Sequence, residues 1–193
     1  MSFQTWDETL KSLPVGGTAV ATNAADTSLL LTTAGAQDCK ITLPANYFQI
    51  GKCIRIKMCL RVSNIATTPG TLTLKVLFGA VVVFNGGAMN LSTTAHTTLP
   101  VWVEILLTCR AVGSGTNANL IGQGMVIGQP ISFTASPDLS TANSIGTTLI
   151  PNTTPTVGTG FDSTITQAID LTANFSLTGN STTLEQYTIE AMN

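Results

Sequence analysis

Residues 53–62 read Cys-Ile-Arg-Ile-Lys-Met-Cys-Leu-Arg-Val. Ile54, Ile56, Met58, Leu60 and Val62 fall on every second position, and Cys53, Arg55, Lys57, Cys59 and Arg61 occupy the positions between them. A strand sends successive side chains to opposite faces, so this alternation describes one strand with an apolar face against a core and a polar face toward solvent. The pattern recurs in Leu72, Leu74, Val76 and Phe78, in Val101, Val103, Ile105 and Leu107, and along Ile165, Ile169, Leu171, Ala173, Phe175 and Leu177. Shorter candidates lie at 27–33, 40–44, 80–84, 118–127, 131–135, 145–150 and 184–190. Strands this numerous, separated by Gly, Pro, Asn and Ser turns with no helical period between them, predict an all-β fold: an antiparallel β-sandwich or jelly roll.

The N-terminus carries a different spacing. Phe3, Trp6, Leu10 and Leu13 are separated by three, four and three residues, which places them on one face of a helix. Thr5 with Glu8 reads as a capping box, and Pro14, Gly16 and Gly17 end the run. The expected organisation is an arm over residues 1–17, with a short amphipathic helix, followed by a body over 18–193. So short a helix needs docking to be stable. Its apolar face would lie on its own body or on a neighbouring subunit. Segment 136–163, with three prolines and few large apolar residues, is expected to form a long excursion at the rim, with the short strand candidate 145–150 inside it.

Composition narrows the function. Only 9% of the 193 residues are charged, against the usual ~25%, roughly a sixth are Thr, and His96 is the one histidine. Proton transfer, metal and nucleophilic chemistry need converging His, acid, Cys or Lys side chains, and few are present. His96 stands in STTAHTTLP between two strands, with no acid, Cys or Lys within seven residues, and reads as a solvated loop histidine. Asp162 and Asp170 would be roughly 26 Å apart along one strand, too far for a glycosidase pair. Cys39, Cys53, Cys59 and Cys109 have no zinc-like spacing and read as packing thiols, or as such thiols with one disulfide between strands. Gly86 and Gly87 in FNGGA suggest a hairpin turn, without the helix and Lys of a phosphate loop. No enzyme, metal or cofactor is expected.

Mean hydropathy is +0.34, yet the longest apolar run, Val76 to Phe84, is broken by Gly79 and is far short of the ~20 residues of a spanning helix. No membrane partner is expected. The first residues lack a basic region followed by an apolar stretch, so assembly in a cytoplasm is expected. A net charge of −2 argues against nucleic acid as a partner. Nevertheless, Lys40, Lys52, Arg55, Lys57, Arg61 and Lys75 lie in an interval between Asp38 and Glu104 that contains no acid. The strand face of Arg55, Lys57 and Arg61 is therefore expected to be locally positive, as an ordinary solvated face or as a contact for an acidic partner surface.

The stretches WDETLKSLPVGG (6–17), ITLPANYFQIGKCIRIKMCLRVSN (41–64), TLPVWVEILLTCRAVGSGTNAN (98–119) and FDSTITQAIDLTANFSL (161–177) resemble small structural proteins of tailed bacteriophages. Within that group the chain is most similar to head cement or decoration proteins. The resemblance spans nearly the whole chain and is one of style and phrase; no motif transfers an individual residue's role. It implies a virion protein on the outer surface of the phage head, a homo-oligomer of trimeric type, and the major capsid protein as partner. Phe3, Trp6, Leu10 and Leu13 on the arm, with Arg55, Lys57 and Arg61, are then the expected partner-binding residues. The rival reading is a tail-fibre or receptor-binding tip that holds a host surface glycan through loops 85–100 and 136–163, where Phe161 is the one aromatic side chain. A small carbohydrate-active enzyme is the third and weakest reading.

Overall fold

A computed structural model describes residues 7–13, 16–21, 25–30, 39–132 and 145–192. Among these residues eleven strands form two antiparallel sheets: β1 (Asp7–Ser12), β2 (Thr27–Ser28), β3 (Ile41–Leu43), β4 (Cys53–Asn64), β5 (Thr71–Phe78), β6 (Val81–Asn90), β7 (His96–Ala111), β8 (Asn119–Gly128), β9 (Gly146–Ile150), β10 (Gln167–Phe175) and β11 (Ser181–Met192). One sheet has the order β1-β11-β4-β7-β8-β9; the other runs β2-β10-β5-β6, with β3 also paired to β10. No helix occurs among the described residues.

The sandwich follows from the alternation. Ile54, Ile56, Met58, Leu60 and Val62 of β4 and Val101, Val103, Ile105 and Leu107 of β7 are buried facing Leu72, Leu74, Val76 and Phe78 of β5 and Ile169, Leu171 and Phe175 of β10. Where the facing side chain is large, its counterpart shrinks: a Cβ on Gly122 of β8 would stand 2.3 Å from Cδ2 of Phe84. Phe48, Phe78 and Phe161 close one end of the core, with ring centroids 5.0–5.3 Å apart.

The sequence-based helix is corrected by these strands. Asp7–Ser12 is an edge strand antiparallel to β11, with Leu10 the extra residue of a bulge between Thr9 and Lys11. Leu10 and Leu13 are partly buried against the core of their own body, and Gly17 N–H donates to Leu184 C=O at 2.6 Å. The expected helical face fails for a physical reason. A bulge breaks the period of two, so apolar residues three apart can both turn inward, while β11 satisfies backbone groups that a free short helix would leave half solvated. Phe3 and Trp6 lie outside the described residues.

One further expectation changes. Gly86 and Gly87 do not turn a hairpin but sit at a bulge inside β6, where the register against β5 shifts between Thr73 and Lys75. Gly87 has φ +74°, which favours glycine. The β5–β6 hairpin instead turns after Phe78, at Gly79 (φ +57°). The segment expected as a long excursion contains β9, paired with β8, and 151–161 then returns along the β8 side through bridges Ile121–Val157 and Ala118–Phe161. Residues 136–144 of that segment lie outside the described residues. All four cysteines are free thiols, Cys39 and Cys109 buried.

Candidate functional site

The outer face of the six-stranded sheet carries Arg55, Lys57 and Arg61, the cations singled out from sequence. Register places Glu190, Arg55, Leu106 and Gln123 side by side across β11, β4, β7 and β8. The next outward row is Thr188, Lys57, Glu104 and Met125, followed by Gln186, Cys59, Trp102 and Ile127. The expected positive ribbon is not free. Arg55 Nε donates to Glu190 at 2.7 Å and its terminal nitrogen to Asp7 at 3.1 Å, Lys57 donates to Glu190 at 3.2 Å, and Arg61 Nε donates to Glu185 at 2.7 Å. Lys40 and Lys75 are likewise paired with Asp170 and Asp26, and the Lys52 ammonium sits 3.7 Å from the centre of the Tyr47 ring.

The counter-charges come from strands far away in sequence, which is why an acid-free interval does not make an acid-free surface. Glu185 is the extra residue of a β11 bulge between Leu184 and Gln186. Desolvation alone would raise the Glu190 carboxyl, but hydrogen bonds from Arg55 and Lys57 together with their charges hold it below the ordinary carboxylate range.

On the β7 side of this face the partners run out. Trp102 and Leu106 are 42% and 41% exposed, and Leu149 on β9 is 62% exposed. Beside the β11 bulge lies a depression of about 260 Å³, lined by Ser12, Leu13, Lys57, Cys59, Trp102, Gln186, Tyr187 and Thr188. The side chains of Ser12, Trp102, Gln186 and Thr188 make no hydrogen bond or ion pair among the described residues. Burial, and secondarily Glu185, pushes the Cys59 thiol up, so it is uncharged at neutral pH. Sequence reading passed over Trp102, although its signal was present: it takes the outward parity in a strand whose Val101, Val103, Ile105 and Leu107 point inward.

The end of the sandwich closed by the phenylalanines forms a second candidate. Gly51 N–H donates to Cys109 C=O, Asn46 N–H to Ser163 C=O and Ser163 N–H to Gly113 C=O, at 2.8–3.0 Å. Three loops are thereby tied together, and they carry Ile50, Val112 and Ile165, which are 71%, 42% and 54% exposed. Asp7 and Met192 pair at the same end. Phe161, the aromatic side chain expected near a glycan-binding rim, is buried in the end plug.

Little else gathers into a reacting centre. Among the described residues no three His, Cys, Asp or Glu side chains stand close enough to hold a metal ion. His96 opens β7 opposite Asn64, and partial burial lowers its pKa; it is a strand residue instead of the loop residue expected. Asp162 caps a turn by accepting from Thr164 N–H at 2.8 Å, while Asp170 is engaged by Ser28 Oγ and Lys40, both at 2.6 Å.

No protein-family model matches the chain, and no curated protein matches it in sequence. Among solved structures, the chain is similar to the CBM2 module of the evolved Dit of Lactobacillus casei BL23 phage J-1, at 11% identity, with 98% of each chain covered and a TM-score of 0.33. It is also similar to an alginate lyase from Alteromonas sp. 272, at 6% identity, covering 95% of this chain and 89% of that one, with a TM-score of 0.29. A fructofuranosidase from Schwanniomyces occidentalis matches at 11% identity over 97% of this chain and 34% of its own, with a TM-score of 0.27.

Proposed function

We propose that the chain is a non-catalytic structural subunit of a tailed-phage virion, a head cement or decoration protein that self-associates, as a trimer, and contacts the major capsid protein. The observation that carries this reading is the interlocked tip: Ile50, Val112 and Ile165 stand exposed on three loops that hydrogen bonds hold in fixed relation. Exposed apolar side chains on a braced end of the body suit a contact with another macromolecule, because water is a poor partner for them and pre-ordered loops lower the ordering cost of binding. Phe3 and Trp6 precede Asp7 in the chain, and Asp7 pairs with Met192 at this same end. The sequence resemblance to decoration proteins supplies the partner. Cyclic association would multiply each weak contact.

The reading places the clamp at the tip, and not on a helical arm or on the paired cations Arg55, Lys57 and Arg61. Co-sedimentation with undecorated phage heads tests it. The full chain should pellet with heads, and the triple variant Ile50→Asp, Val112→Asp, Ile165→Asp should keep its melting transition but remain in the supernatant. A full chain that never pellets with heads, or a triple variant that pellets as well as the parent, overturns the reading.

A further inference from the structure

We propose that the depression beside Trp102 is a carbohydrate-binding site that takes one neutral pyranose residue of a surface glycan. This site lies on the sheet face, outside the tip assigned to virion contact, and carries a function beyond that reading. A pyranose has one face of C–H groups and a rim of hydroxyls. Its recognition therefore requires an aromatic surface next to short polar groups that both donate and accept hydrogen bonds. The depression brings those two elements together. The indole of Trp102 is 42% exposed on β7, and Gln186, Thr188 and Ser12 come from β11 and β1 across the intervening strand β4.

Three features favour a sugar over other occupants. The amide of Gln186 and the hydroxyls of Ser12 and Thr188 have no hydrogen-bond or ionic partner among the described residues, so they meet a ligand without first breaking a contact. The nearby cations are already neutralised, Lys57 by Glu190 at 3.2 Å and Arg61 by Glu185 at 2.7 Å, which disfavours an anionic ligand. At about 260 Å³ the depression is slightly below the size range of drug-sized sites and suits a single ring. The β11 bulge creates it: the extra residue Glu185 turns toward Arg61 and leaves Gln186 opposite Cys59, one strand from Trp102. Bulges commonly re-aim side chains in this way at binding sites.

Saturation-transfer NMR on the full chain tests the proposal, with the methyl glycosides of glucose, galactose, N-acetylglucosamine and rhamnose as probes and glucuronic acid as the anionic control. At least one neutral glycoside should receive saturation at its ring C–H protons, and glucuronic acid should receive less. Trp102→Ala should weaken binding at least about tenfold, as truncation of a hot-spot tryptophan does. Gln186→Ala should weaken it about three- to tenfold, the worth of one hydrogen bond. Gln186 is exposed, so its variant decides the matter if Trp102→Ala does not fold. The proposal is overturned if no neutral glycoside receives saturation, if glucuronic acid binds better than all of them, or if the folded Trp102 and Gln186 variants bind like the parent. The tip variant leaves the depression intact, so a failure of head binding and a failure of sugar binding are separate results.

Discussion

The two halves of one sheet face behave differently. On the β11–β4 half, Arg55, Lys57 and Arg61 are tied to Glu190, Glu185 and Asp7. On the β7–β9 half, Trp102, Leu106 and Leu149 stand 41–62% exposed. Both sets point outward by the same period-two rule. What separates them is the cross-strand neighbour: a cation opposite a carboxylate is spent inside the fold, and an indole opposite a thiol remains available. A run of cations in sequence thus does not by itself predict free positive charge on the folded surface.

Substitutions can break this contrast at graded cost. Turning from the outer face to the inner one should give the largest effect: Ile105→Ala removes a fully buried side chain next to Leu106 and should cost about 2–5 kcal/mol, read by urea denaturation. Gly122→Val adds bulk where Phe84 already fills the space, and about 1–3 kcal/mol of overpacking is expected from the same measurement. Within the charged half, Glu190→Ala should cost about 1–2 kcal/mol, because Arg55 and Lys57 are left partly buried side by side. Arg61→Ala, at a pair whose side chains are 51% and 30% exposed, should change stability by less than about 0.5 kcal/mol.

Acid sharpens the same comparison. Glu190 has a folded pKa held below its unfolded value of ~4.3, so its stabilising contribution is complete above that pH and disappears as pH falls through the folded value. Glu190→Gln should accordingly be less stable than the parent at pH 6, and the gap should close on titration below about pH 4. A gap that stays constant down to pH 2 would show that the Arg55 and Lys57 pairing contributes nothing to folding.

Much of the sandwich was readable from residue order. The inward sets on β4, β5, β7 and β10 match the alternation, because a side chain's face on a strand is fixed by parity alone. The candidate site was less legible. The signal for Trp102 was local, but Gln186 and Thr188 reach it from more than 80 positions along the chain, and only strand pairing puts them there. The three-four-three spacing of Phe3, Trp6, Leu10 and Leu13 misled for a related reason: helical periodicity describes a free segment, whereas Leu10 sits at a bulge in a strand held by β11.

The sequence by itself determined the all-β class, the inner and outer faces of the long strands, and the scarcity of reacting side chains. Local stereochemistry and composition suffice for those. Tertiary structure alone decided which charges cancel, where the apolar tip forms, and which polar groups share the depression with Trp102. Those depend on contacts between residues far apart in the chain, such as Arg55 with Glu190 at a separation of 135 positions, which no local pattern encodes.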